Sequence, residues 1–250
     1  MDITLRELTS LDTAAQFEIL AIRNTKSVRE VMYTDHEIGT NEHLGWISRL
    51  KKDDRQIVFA VLDGEKPLGV ASVNAIDRLH RKADWAFYLH ESCRGGLGAA
   101  LELAIIEFVF GPLQLEKLNC EVIEGNDTVV KLHKKFGFVE EGFRPANIIK
   151  NEKRIGVYYL GLEKEKWSPK TVIASYSSVF DKFNIRIEWD PKEASLLDQI
   201  EGARAKNNVN WMSILRLATE KSPEEATAII SEIQKLDKEI VDMTHKLVNG

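Results

Sequence analysis

Residues 82–112 read KADWAFYLHESCRGGLGAALELAIIEFVFGP, and the fold turns on how this stretch is divided. KADWAFYLH reads as a strand that runs directly into the glycine-rich ESCRGGLG. A helix follows from about Gly98 to Phe110, and Gly111-Pro112 stops it, because proline cannot continue a helical hydrogen-bond ladder. A glycine turn between a strand and a helix N-terminus lets backbone N–H groups converge on an anion with no side chain in the way. The helix dipole adds partial positive charge at the same place. The plainer reading is a tight turn that needs glycine for its geometry alone.

The flanking sequence sets the context. Toward the N-terminus, QIVFAVLDGEKPLGVASVNAI (56–76) is two β-rich runs around DGEKP, a hairpin signal. DITLREL (2–8) alternates as a first strand. Residues 10–31 carry Phe17, Leu20 and Ala21 at helical spacing. NEHLGWISRLKK (41–52) is a second helix, with Asn41 as its expected cap and Leu44, Ile47 and Leu50 on one side. Toward the C-terminus, KLNCEVIEG (117–125) is a strand. NDTVVKLHKKFGF (126–138) is a helix capped by Asn126 and followed by Gly137. KRIGVYYLGLEKEKW (153–167) is a closing strand. The expected order is β, two helices, a β-meander, helix, β, helix, β.

Past residue 167 the pattern changes. SPKTVIASYSSVFDKF (168–183) shows no clean period and reads as a linker, placed at 168–184. After the short strand-like IRIEW (185–189), residues 190–221 are expected as one long helix and 222–248 as another, SPEE (222–225) opening the second as a capping box. Ile229, Ile233, Leu236, Ile240, Met243 and Leu247 alternate by four and three, a heptad-like seam. The expectation is a helical hairpin over 185–250, either folding on itself or supplying half of an intersubunit bundle. Homodimerisation and docking of a neighbouring enzyme are its candidate roles.

Composition narrows the function classes. Net charge is −5, which leaves no basic excess to neutralise nucleic-acid phosphates. The two cysteines, Cys93 and Cys120, have no metal-type spacing, so neither a metal site nor a disulfide framework is expected. The first twelve residues lack a basic region followed by an apolar run. The longest apolar stretch is interrupted by Glu102 and Glu107 and is too short for a bilayer. A cytoplasmic protein with no membrane or nucleic-acid partner is the expectation.

The strand, the turn Cys93-Arg94-Gly95-Gly96-Leu97-Gly98, the following strand and Asn126-x₆-His133-Lys-Lys-Phe-Gly-Phe together resemble the GNAT superfamily of N-acetyltransferases, over roughly residues 3–165. The resemblance implies a three-layer α/β domain over 1–167 around a mostly antiparallel sheet, using acetyl-CoA as cosubstrate. It implies that Gly95, Gly96 and Gly98 hold the pyrophosphate, with Arg94 supplying charge where Cys93 replaces the usual Gln or Arg. Freed backbone groups near Phe87 and Leu89 would hold pantetheine and polarise the thioester, and Asn126 would contact the pantetheine arm. His133 stands where the superfamily usually carries the tyrosine that protonates the departing thiolate. Imidazole can do this; the alternative is a solvated helix-surface histidine.

RNTKSVREVMYTDHEIGTNEHLGWISRL (23–50) resembles one branch, the UDP-4-amino-4,6-dideoxy-N-acetyl-β-L-altrosamine N-acetyltransferases of pseudaminic acid biosynthesis. Arg23, Asn24, Val28, Arg29, Met32, Thr34, Ile38, Glu42 and His43 carry the pattern. The implied acceptor is a nucleotide sugar, with Arg23 and Arg29 as cations for its diphosphate. Met32, Tyr33 and Trp46 would meet uracil and the sugar methyl, while Thr34, Asp35 and His36 would meet hydroxyls. Asp84 and Glu121 are candidates for a base acting through water. An N-acetyltransferase acting on a peptide amine, and a CoA-binding module without turnover, are the competing readings.

Overall fold

In the computed structural model, residues 1–93, 95–190, 211–212, 214, 216–232 and 235–236 are described. The chain divides into two compact units, Met1–Trp189 and Asp190–Gly250.

The first unit is built on one eight-stranded sheet in the order β6-β7-β5-β4-β3-β2-β1-β8. Its strands are β1 (Asp2–Glu7), β2 (Ile57–Asp63), β3 (Lys66–Asp77), β4 (Lys82–Leu89), β5 (Lys117–Ile123), β6 (Val139–Lys150), β7 (Lys153–Glu163) and β8 (Asn184–Glu188). Only β4–β5 and β1–β8 run parallel, so the sheet is mostly antiparallel as expected. The helices are α1 (Thr13–Arg23), α2 (Lys26–Arg29), α3 (Thr40–Leu50), α4 (Leu97–Phe110), α5 (Asp127–Lys135) and α6 (Pro169–Phe180).

Strand β2 shows how the layers form. Val58, Ala60 and Leu62 join Ile19, Ile47 and Leu50 of α1 and α3, while Phe59 and Val61 turn to Leu101, Ile105 and Val109 of α4. Successive strand residues point to opposite faces, so a central strand covered on both sides reads as a continuous apolar run. Helix α4 is apolar nearly all round because its neighbours surround it; Leu101, Ile105, Ile106 and Val109 are fully buried.

Several local expectations shift. Residues 10–31 form two helices rather than one, α1 starting behind Asp12, whose carboxylate accepts from the Ala15 N–H at 2.8 Å. Helix α3 begins at Thr40 behind Gly39, so Asn41 lies inside the helix and does not cap it. Strand β6 is absent from the sequence-based order. It is an edge strand, largely exposed, carrying Pro145 and two register shifts against β7, which blunts the alternation that would reveal it.

The stretch expected as a linker is instead α6 and the start of β8. Val172 is buried in the main core, Tyr176, Val179 and Phe180 pack against that core, and β8 pairs in parallel with β1 from Asp2↔Asn184 to Arg6↔Glu188. IRIEW therefore completes the sheet of the first unit and does not open the helical appendage.

In the second unit, residues 216–221 and 223–232 are helical, the latter beginning at Pro223. Residues 191–210 of the helix expected over 190–221, and the seam residues Ile233, Ile240, Met243 and Leu247, lie outside the described residues. Among the described residues, no helix is long and apolar enough to cross a membrane, and no group of three or more His, Cys, Asp or Glu is placed to hold a metal ion.

Candidate active site

Strands β4 and β5 pair only at their start, Lys82↔Lys117, Ala83↔Leu118 and Asp84↔Asn119. The Asn119 side chain donates to Asp84 at 3.1 Å just where the pairing ends. Beyond it, β4 from Trp85 to Leu89 keeps β3 as its partner, and β5 from Cys120 to Ile123 keeps β7. The two strands splay, and their facing edges expose backbone groups that no strand satisfies. Such groups seek a hydrogen-bonding ligand. The wedge is a cleft of about 500 Å³. Trp85, Phe87 and Leu89 line one wall, Cys120 and Glu121 the other, Met32 closes one side, and Asn126, Val129 and His133 of α5 close another. The α5 residues recur at intervals of three and four, which places them on one helical face.

The glycine turn stands beside this wedge. Gly95 and Gly96 have φ of +79° and +97°, and Gly96 in the left-handed region immediately precedes α4. Gly98 lies over the Phe87 ring; a Cβ there would sit 3.4 Å from it. Phe87 in turn stacks on Trp85 with centroids 5.2 Å apart. The space over Gly96 is already taken, because a Cβ would meet Val179 of α6 at 2.8 Å. Cys93 lines the cleft, whereas Gly95, Gly96 and Gly98, expected to hold a pyrophosphate, do not; the surfaces of Gly96 and Gly98 serve close packing against Val179 and Phe87. Arg94 lies outside the described residues.

At the inner end, His133 is buried at 3% exposure, which removes the solvated-surface reading. Its Nδ1 is 2.8 Å from Oε1 of Glu102, which is fully buried on α4. The ring meets Trp85 edge-on at 5.4 Å and tilts against Phe138 at 5.3 Å. Burial pushes the Glu102 carboxyl above the usual carboxylate range, and the bond to His133 opposes that shift. Glu102 Oε2 has no partner. The sequence registers Glu102 only as a charge interrupting an apolar run. A carboxylate on the buried side of a largely apolar helix is itself a signal, because such groups are almost never fully buried unless paired.

The 29–36 segment is braced rather than open. Arg23 is buried, and its Nη2 donates to the Thr34 carbonyl at 3.3 Å and to the Thr34 hydroxyl. Arg29 donates to the Asp35 carbonyl at 3.2 Å. Lys150, from the end of β6, donates to the carbonyls of Arg29, at 2.6 Å, and Met32. The Asp35 carboxylate accepts from the Asn151 N–H at 2.9 Å, which holds it below its ordinary range. Both arginines expected to meet a diphosphate are thus engaged with carbonyls of their own loop. His36 pairs with Glu42 at 3.2 Å in an exposed position.

Of the six residues expected to read the acceptor, Met32 lines the cleft, and Tyr33 reaches it by donating its hydroxyl to the cleft-lining Glu121. Burial and that bond hold the Tyr33 phenol well above its ordinary pKa. Arg23, Thr34, Asp35 and His36 do not line the wedge, whereas Ser27, Val28 and Val31 do. Beside Tyr33 and Glu121, Arg144 lies over the Tyr159 ring at 4.4 Å and donates to its hydroxyl at 3.2 Å.

Comparison with known proteins matches residues 2–139 to the family described as Acetyltransferase (GNAT) domain. A curated relative is the SPbeta prophage-derived uncharacterized N-acetyltransferase YokL of Bacillus subtilis (strain 168), 29% identical over 119 residues, covering 47% of this chain. The match spans 64% of that relative's length. Among solved structures, the spermidine N-acetyltransferase of Vibrio cholerae with CoA and spermine is 23% identical, with a TM-score of 0.60 over 66% of this chain and 96% of that one. The Campylobacter jejuni N-acetyltransferase PseH with acetyl coenzyme A is also 23% identical, with a TM-score of 0.48 over 65% of this chain and 99% of that one. At such identity the spermidine N-acetyltransferase structure speaks for the fold alone. The chain belongs to the acetyltransferase (GNAT) domain family.

Proposed function

We propose that this member of the acetyltransferase (GNAT) family transfers the acetyl group of acetyl-CoA to a primary amine on a small molecule, and that the acceptor is the 4-amino group of a UDP-linked amino-dideoxy sugar. The observation that carries the transfer reading is the splay of β4 from β5, with His133 at its inner end and the glycine turn beside it. The residues present fit acetyl-CoA by their chemistry. The unpaired edge of β4 offers amides for pantetheine and for the thioester oxygen, Asn126 lines the cleft, and the α4 N-terminus favours a diphosphate.

The acceptor amine attacks the thioester carbon, and the carbon–sulfur bond breaks. The departing sulfur takes a proton from His133, and the amine loses one through water toward Glu121. The sugar reading rests on the 23–43 sequence pattern and on Met32 and Tyr33 at the cleft. With Arg23 and Arg29 bracing their loop, Arg144, beside Tyr33 and over the Tyr159 ring, is a cation available to a diphosphate. A cationic polyamine is the second reading. Glu91 and Glu121 line the cleft, and no lysine or arginine does so among the described residues.

The test is acetyl-CoA consumption against UDP-4-amino-4,6-dideoxy sugars, spermidine and a peptide amine. Turnover on one sugar alone, inhibited by free UDP, supports the proposal. Turnover on spermidine alone replaces the sugar with a polyamine. CoA binding with no turnover on any amine overturns the transferase reading.

A further inference from the structure

Glu102 is the buried charge that acetyl transfer as described above leaves without a task. It projects from a helix whose other charge, Glu107, is exposed; it is fully buried and, among the described residues, hydrogen-bonds to one side chain, His133, at 2.8 Å. Its second oxygen has no partner. Taking a carboxylate out of water is expensive unless an opposite charge or strong hydrogen bonds offset the cost. A purely structural role would be met at least as well by an apolar residue, because ion pairs of this depth are often no more stabilising than the hydrophobic side chains that could replace them.

We propose that Glu102 is a positioning residue for proton transfer, holding His133 with a proton on Nδ1 so that Nε2 serves as the donor to the leaving sulfur. The inference rests on the transferase reading and deepens it. Nδ1–H donates to the Glu102 carboxylate, which fixes the ring plane and the tautomer. Trp85 and Phe138 hold the ring from other sides and offer no competing acceptor for Nδ1.

The proton balance closes around this pair. In the reacting form His133 carries a proton on each nitrogen, and Nδ1–H donates to Glu102. As the carbon–sulfur bond breaks, the electron pair leaves with sulfur, and the Nε2 proton follows to give the thiol. Neutral imidazole remains bonded to Glu102 through Nδ1. The proton released by the acylated amine leaves through water by way of Glu121, and Nε2 regains a proton from solvent, which restores the starting state. Amine and thioester have become amide and thiol, with no other reactant consumed.

Other titratable groups around the ring do not replace Glu102. Cys120 and Glu121 line the opposite wall on β5, and Cys93, His90 and Glu91 line the cleft beyond β4. Burial and the neighbouring carboxylates Glu102, Asp84, Glu121 and Glu141 hold the Cys120 thiol high, so it stays neutral through the working range. Lys134 and Lys135 follow His133 on its own helix, and Lys134 is paired with Glu140 at 2.7 Å. Glu102 is therefore the one carboxylate bonded to His133.

The experiment compares wild type, Glu102→Gln, Glu102→Asp and His133→Phe. It reads kcat and KM across pH 5.5–9 together with CoA affinity and the His133 tautomer by long-range ¹H–¹⁵N spectra. Gln keeps the shape and an acceptor but removes the charge. The expected result is a fall in kcat of at least about tenfold, a displaced kcat–pH profile, loss of the preference for the Nδ1-protonated tautomer, and KM for acetyl-CoA within about twofold of wild type. Glu102→Asp should recover part of the rate. A Glu102→Gln enzyme with unchanged kcat, unchanged pH profile and unchanged His133 tautomer overturns the proposal while leaving the transferase reading intact. A His133→Phe enzyme with full activity overturns the proton-donor reading instead. If Glu102→Gln fails to fold, the His133 tautomer in wild type decides. A neutral ring protonated on Nδ1 supports the proposal, and one protonated on Nε2 overturns it.

Discussion

Gly96→Ala tests whether α6 is seated on the glycine turn. Gly96 sits at φ +97° and ψ 13°, so an L side chain there is strained by about 1–2 kcal/mol. The new methyl would lie 2.8 and 3.0 Å from the two γ carbons of Val179. That is inside the ~3.5–4.0 Å optimum for carbon pairs, and forcing a methyl into a packed site costs about 1–3 kcal/mol. The sum is roughly 2–5 kcal/mol. At about 2–4 °C per kcal/mol for a unit of this size, the melting temperature should fall by roughly 4–20 °C. Val179→Ala removes the clash but not the backbone strain, so in the double variant the methyl's share should disappear and the coupling should be about 1–3 kcal/mol. Thermal melts of wild type, both single variants and the double variant measure it, read alongside CoA affinity. Additivity within about 0.5 kcal/mol would refute the reasoning, because sites that do not touch add to that accuracy. It would mean that Val179 does not rest on the turn and that glycine there serves backbone conformation alone.

Truncation separates the elements past residue 167. A chain ending at Trp189 should melt within a few degrees of wild type. A chain ending at Trp167 should lose several kcal/mol, since it forfeits Val172, the parallel ladder of β8 on β1 and the edge-on contact of Trp189 with Phe108 at 5.1 Å. Equal stability of the two would refute the placement of α6 and β8 in the first unit. The buried His43 gives a pH dependence of definite sign. Its Nε2–H donates to the Gln16 carbonyl at 2.9 Å, and burial lowers its pKa. The unfolded chain therefore binds a proton more readily than the folded one, and stability is lost as pH falls through the free imidazole value of about 6.5 toward the lower folded value. Denaturation midpoints at pH 7.5 and 5.5 should differ more for wild type than for His43→Gln; an unchanged difference would refute this.

The elements carrying the strongest local signals were legible. The hairpin, the strand–turn–helix of 82–110 and helix α5 behind Asn126 lie close to where periodicity and glycine placed them. Elements whose signal is tertiary were not. β6 is stabilised by pairing with β7 while its own side chains stay largely in water, so its sequence lacks alternation. Helix α6 looked like a linker because its serines and small residues face outward and few of its residues reach the core.

The same division runs through the site. His133, Asn126, Phe87, Leu89, Met32 and Tyr33 were named from pattern, and the fold brings all of them to the cleft or its rim. Arg23 and Arg29 were named for their charge. A sequence reports that a residue is cationic, but not whether carbonyls of its own loop already occupy it.

By itself the sequence determined the order of most strands and helices and the glycine turn between a strand and a helix, since these depend on spacings of a few residues along the chain, while the splaying strand and the place of His133 came from the resemblance to the GNAT superfamily. Tertiary structure decided what spacing cannot encode: that residues 31 positions apart, Glu102 and His133, meet in a site shielded from water, and that β8 returns to Met1's end of the sheet. The strength of both arrangements comes from desolvation, a property of the space around a residue and not of its neighbours in the chain.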